Sequence, residues 1–125
     1  MSDTPVRLSI QQFAARTGLS ADTLRYYEKI GLLRHVRRDA SGHRVYGSPD
    51  LEWVGFVVRL KATDMPLDEI IRYADLRELG DSTLEARQAM LEAHATKLHK
   101  RLERDREHLH ALQAKIEFYR QQTSP

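Results

Sequence analysis

The chain has 125 residues, 41% of them hydrophobic and 30% charged, no cysteine and a formal net charge of +2, which describes one folded domain with room for one extra element. The missing cysteines exclude disulfides, thiolate catalysis, thiol redox sensing and Cys-based metal sites. No apolar run approaches the roughly 18 residues of a membrane span, and the opening MSDTPVRLSI lacks the apolar centre of a signal peptide, so the expected location is the cytoplasm.

The charge is unevenly spread. From Arg7 to Lys61 ten basic residues face five acidic ones, a net +5, whereas from Ala62 to Asp81 only Arg72 and Arg77 stand against six acids. A basic head followed by an acidic segment suits a polyanionic partner for the head, because neutralised phosphates supply most nonspecific nucleic-acid affinity.

Residues Leu8 to Arg16 read as a first helix capped by Ser9, with Ile10, Phe13 and Ala14 at helical spacing. Thr17-Gly18-Leu19 forces a turn, and Ser20 opens a second helix with Asp22 in its first turn, Lys29 near its end and Gly31 as a stop. Leu24 and Ile30 point inward, while Thr23, Arg25 and Tyr26 point outward with donors and an aromatic face. Ala14, Gly18 and Leu24 have helix-turn-helix spacing: a small residue for close crossing, a glycine for the turn, an aliphatic residue to lock the second helix. The alternative is a plain helical hairpin.

The segment Arg34 to Gly47 reads as a hairpin, with strands around Val36 and Val45 and a turn at Asp39-Ala40-Ser41-Gly42. Its arms carry Arg37, Arg38, His43, Arg44 and Tyr46. After a helix-turn-helix this is a wing along a phosphate backbone; otherwise it is an edge-protected ribbon. Ser48 and Pro49 start a third helix with Trp53 and Phe56 as core aromatics and Lys61 near its end as a candidate phosphate contact. Met65-Pro66 breaks it, and a fourth helix runs to Leu79 and ends at Gly80.

From Asp81 about forty residues contain neither Gly nor Pro until Pro125, a helix of roughly 60 Å. Leu84, Leu91, Ala95, Leu98, Leu102, Leu109, Leu112, Ile116 and Tyr119 form a narrow apolar seam, with Gln88 and Asp105 as its polar positions. Such a seam is buried by pairing with another chain in a coiled coil. The histidines His94, His99, His108 and His110 lack the spacing of three or four that places two imidazoles on one helix face, and no nucleophile–base pair or phosphate loop is present. No metal site within a chain, no cofactor and no enzymatic activity are expected; a histidine site shared between two chains stays open.

The runs LSIQQFAARTGLSADTLRYYEKIGLL, GHRVY and SPDLEWVGFVVRLKATDMPLDEI resemble the DNA-binding domain of the MerR family of bacterial transcription regulators, followed by that family's dimerisation helix. The resemblance covers Arg7 to Gln122. It implies a mainly α fold, with a winged helix-turn-helix DNA-binding domain over residues 7–80, a dimerisation helix over 81–122 in an antiparallel coiled coil, and a short tail at 123–125. It implies a homodimer on a pseudo-palindromic promoter operator, acting by distortion of double-stranded DNA so that RNA polymerase uses the promoter. Carried over residue by residue, the DNA contacts are Arg16, Thr23, Arg25, Tyr26 and Tyr27, with Arg38, Arg44 and Tyr46 on the wing and Lys61 on the third helix. Dimerisation falls to Leu84, Leu91, Leu98, Leu102, Leu109, Leu112, Ile116 and Tyr119. The chain looks closest to the short subgroup that responds to aldehydes and related electrophiles, but lacks the thiol many of its members carry around the position of Arg59. Two other function classes remain on the sequence alone: a coiled-coil scaffold whose head docks on an acidic protein, and a nonspecific architectural DNA binder.

Overall fold

The structure, a computed structural model, describes residues 5–124. In chain order the elements are α1 (Ile10–Thr17), α2 (Ala21–Lys29), β1 (Arg37–Arg38), β2 (Arg44–Val45), α3 (Ser48–Ala62), α4 (Leu67–Leu79), a 3-10 turn (Asp81–Thr83) and α5 (Leu84–Thr123). They divide into two compact units, one ending at Thr83 and one beginning at Leu84.

In the first unit, local chemistry fixes the helix ends. Ser9 caps α1 reciprocally: its hydroxyl accepts the Gln12 N–H, and the Gln12 side chain accepts the Ser9 N–H. Gly18, at φ 75°, closes α1 in the left-handed region that a residue with a Cβ adopts only under strain. Ser20 then accepts the Thr23 N–H to begin α2. Phe13 and Leu24 are fully buried between the two helices. The helix-turn-helix is formed with the expected positions in the expected roles.

Two helix starts differ from the sequence reading. Leu8 is not helical; it exchanges both backbone hydrogen bonds with Tyr46, at 2.8 and 2.9 Å, and so adds a third edge to the hairpin. Ser48 does not cap α3. Gly47 is the N-cap, and the Asp50 carboxylate accepts the Gly47 N–H at 2.9 Å, a stronger acceptor than a hydroxyl at the positive end of the helix. The hairpin pairs Arg37 with Val45 and Arg38 with Arg44 in antiparallel register. Its turn is held by Asp39, whose carboxylate accepts the Ser41 and His43 N–H groups at 2.9 Å each.

The core of this unit gathers Phe13, Leu24, Tyr27, Leu32, Leu33, Tyr46, Val54, Val57, Leu60 and Ile70 from its four helices, the turn after α2 and the position that follows β2. Trp53 stacks on Tyr73, and its indole N–H donates to the Leu32 carbonyl at 2.6 Å. That bond fixes the turn after α2 against α3. The acidic stretch of α4 has an internal use: Asp75 accepts from Arg34, and Glu78 lies 2.6 Å from the His35 imidazole. Both tie the same turn to α4.

The second unit is one 40-residue helix, α5. Its interior lacks breakers, and short-range pairs such as Gln88 with Glu92 line its surface. None of its residues is buried. Of the apolar seam, Leu84, Leu102, Leu109, Leu112, Ile116 and Tyr119 are each about half exposed.

Candidate nucleic-acid interface

Helix α2 separates its residues cleanly. Leu24 and Tyr27 are buried, whereas Asp22, Arg25, Tyr26 and Lys29, at spacings of three and four, form the exposed face. Asp22 holds Arg25 at 2.9 Å, carboxylate to guanidinium, one turn apart. This pair is largely in water, so it orients Arg25 while costing little to break. Tyr26 presents half its surface, and Thr23 lies partly covered beside Ser20, whose hydroxyl donates to it at 2.9 Å. The face therefore offers one oriented guanidinium, one aromatic ring and one ammonium. Arg16 in the last turn of α1 and Arg38 on β1 are exposed as well.

Two residues expected on this surface belong to the core instead. Tyr46 is 1% exposed and stacks on Phe13 with ring centroids 4.2 Å apart. Its hydroxyl is buried without a hydrogen-bond partner among the described residues, and burial pushes its pKa above the usual value. Strand alternation accounts for this: residues 44 and 46 share a face, and that face turns toward α1 and α2. Tyr27 is 2% exposed. Only its hydroxyl reaches outward, where it accepts from the Lys61 ammonium at 3.2 Å. Neither ring is available to a groove.

Arg44 is also differently placed than a simple wing contact. Its Nε donates to one carboxylate oxygen of Glu28 at 3.0 Å, and its Nη2 lies 3.0 Å from the same oxygen, with both side chains about three-quarters buried. This ion pair joins β2 to α2. Lys61 joins α3 to the same helix through Tyr27, its ammonium also lying 5.2 Å from the ring centroid. The recognition helix is thus gripped from the wing and from α3. Sequence reading missed Glu28, because its partner is sixteen residues away; the alternation of Arg44 and Tyr46 was the available signal.

No group of three or more His, Cys, Asp or Glu residues able to hold a metal occurs among the described residues. No helix among them is long and apolar enough to cross a membrane.

A family model described as "MerR, DNA binding" matches residues 51–117, more than half of the chain, and one described as "MerR family regulatory protein" matches residues 9–46. The chain belongs to the MerR family. A relative from Haemophilus influenzae, described as an uncharacterized HTH-type transcriptional regulator, is 37% identical over 106 residues, 85% of this chain and 78% of that protein. The regulator AdhR of Bacillus subtilis is 39% identical over 84 residues, 67% of this chain and 60% of that protein. Among solved structures, HiNmlR, a MerR family regulator lacking the sensor domain and bound to promoter DNA, superposes with a TM-score of 0.84 at 34% identity. That match covers 93% of this chain and 92% of the other. This MerR chain is a DNA-binding transcription regulator with a helix-turn-helix head, a two-stranded wing and a long C-terminal helix. The scaffold and architectural readings give way to it.

Proposed function

We infer that the chain works as a homodimer, its α5 seams paired antiparallel through Leu84, Leu91, Leu98, Leu102, Leu109, Leu112, Ile116 and Tyr119, with two heads reading a pseudo-palindromic promoter operator. The exposed seam supports the dimer, since a 40-residue helix with no buried residue gains most of its stability from a packed apolar face. The domain division follows, with a DNA-binding domain over residues 7–80, a dimerisation helix over 81–122 and a tail at 123–125. In each head the reader is the outward face of α2: Thr23, Arg25 and Tyr26 meet bases and flanking phosphates, and Arg16, Arg38 and Lys61 meet the backbone. Arg44 supports the wing through Glu28. Two heads at a fixed separation impose a shape on the duplex, and RNA polymerase meets the promoter in that distorted form. The protein acts by binding, without catalysis or cofactor, in the cytoplasm.

The observation that carries this reading is the exposed Arg25–Tyr26 pair on a helix held from both sides. Genome-wide mapping of bound sites followed by footprinting of Arg25→Ala tests it. One palindrome is expected, lost or weakened by about 1–3 kcal/mol in the variant, which sediments as a dimer like the parent. Unchanged footprints in Arg25→Ala, or a monomer in the parent, overturn it.

A further inference from the structure

Between the wing and α4 the head has a half-open cavity of about 840 Å³, within the range of small-molecule sites, roughly 300–1,000 Å³. Its apolar lining is Val6, Leu32, Leu33, Val45, Trp53 and Ala74. Its cationic lining is Arg7, Arg34, Arg37, Arg38 and Arg77, with the His35 imidazole beside them. Against these stand, among the described residues, two carboxylates, Asp50 and Glu78, and both are engaged: Asp50 accepts the Gly47 N–H, and Glu78 pairs with His35. None of the outward residues of α2 lines the cavity, which meets the proposed DNA surface only at Arg38.

Three of the guanidiniums are held in place before anything binds. Arg34 donates to the Gly31 carbonyl and to Asp75, Arg38 donates to the Gly42 carbonyl, and Arg77 lies 4.5 Å over the Trp53 indole. Arg37, on β1, makes no ion pair among the described residues. Preorganised donors lose little freedom on meeting an anion, and guanidiniums present paired donors to a planar carboxylate. A wall of leucine, valine and tryptophan adds affinity only for a ligand that also has an apolar body.

We propose that this cavity binds a small organic acid with a hydrophobic body and that its occupancy changes the affinity of the head for DNA. The acid group lies between Arg37 of the wing and Arg77 of α4, and the body lies against Trp53, Leu33 and Val45. The walls come from the wing on one side and from α4 on the other, so an occupant adds contacts between elements otherwise linked through the turn at residues 32–35. It favours one setting of the wing relative to α2, which is how a ligand away from the outward face of α2 acts on DNA. The binding step stands by itself; its consequence for DNA rests on the reader proposed above.

The test is a fluorescence titration of the full chain with 8-anilinonaphthalene-1-sulfonate, an aromatic sulfonate, beside its uncharged counterpart N-phenyl-1-naphthylamine. One saturable sulfonate site per chain is expected, with the neutral dye and the double variant R37Q/R77Q each weaker by about tenfold or more. Ala74→Leu, which adds bulk to the lining, weakens both dyes. Circular dichroism confirms that the variants are folded. Absence of saturable binding, equal affinity for the two dyes, or undiminished binding by a folded R37Q/R77Q overturns the site. Dye binding lost in Ile116→Gln but kept in R37Q/R77Q places the dye on α5 and overturns it too. A labelled duplex titrated with and without the sulfonate separates the two readings. Dye binding without any duplex binding defeats the reader and leaves the cavity site standing, while equal duplex affinity in both titrations overturns the effector role.

Discussion

Replacing Glu28 by glutamine separates two roles for Arg44. The pair has N–O distances of 3.0 Å, with 26% and 27% of the two side chains exposed. Two unit charges about 4 Å apart at an effective dielectric of about 20 attract by about 4 kcal/mol. Desolvating both ions and ordering both side chains offsets more than half of that, leaving a net coupling of about 1–2 kcal/mol between β2 and α2. A double-mutant cycle of Glu28→Gln and Arg44→Gln, read from denaturant midpoints at fixed protein concentration, should return that coupling. DNA affinity discriminates further. If Arg44 holds the wing, Glu28→Gln weakens duplex binding even though it removes a negative charge from the interface, and Arg44→Gln leaves the salt dependence nearly unchanged. If Arg44 instead neutralises a phosphate, Glu28→Gln frees it and tightens binding, and Arg44→Gln lowers the salt slope by about 0.9. Fluorescence anisotropy at several salt concentrations decides between them. Tighter binding by Glu28→Gln, or a coupling below about 0.3 kcal/mol, refutes the clamp.

Tyr46→Phe removes a hydroxyl that is buried without a partner while keeping the ring on Phe13, so stability should hold or rise by about 1 kcal/mol and duplex affinity should not change. A thermal melt lowered in that variant would show that the hydroxyl has a partner in solution. The Asp39 carboxyl is held below its ordinary value of 3.8, first by the His43 N–H, then by the Ser41 N–H and the charges of His43 and Arg7, against an opposing desolvation. A carboxyl lowered in the folded state stabilises above its unfolded pKa, and that contribution is lost as pH falls through the folded value. The Ser41 and His43 amide resonances should therefore shift on acidification with a midpoint below 3.8, the ordinary value of this carboxyl. In Asp39→Asn that acid shift should vanish; an identical shift in the variant would assign it to another group.

What the sequence made legible was the short-range and the periodic. The Ser20 cap, the Gly18 turn, the hairpin turn at Asp39 to Gly42 and the break at Met65-Pro66 all depend on residues within about four of each other. The inward and outward faces of α2 follow from its 3.6-residue period. The contacts that decide which candidates face solvent span longer distances. Tyr46 reads as a wing residue until Leu8 pairs with it across thirty-eight positions. Arg44 reads as a free cation until Glu28 is beside it. Charge counting placed a basic head before an acidic segment, but not the use of that acid: Asp75 and Glu78 are countercharges for Arg34 and His35 within the same unit. Ser48 failed as a cap because the helix starts one residue earlier, with Gly47 as N-cap and its N–H taken by the Asp50 carboxylate.

The three-sided hold on α2 and its following turn bears on how this reader can be re-engineered. Glu28 belongs with Arg44, Tyr27 with Lys61, and Arg34 with Asp75, so the helix is not a cassette. Exchanging its outward residues alone, at positions 22, 23, 25, 26 and 29, leaves all three attachments intact and alters only what is read. Transplanting the whole segment into another scaffold carries three unmatched halves with it. A graft that swaps residues 20–34 therefore needs positions 44, 61 and 75 moved along with them.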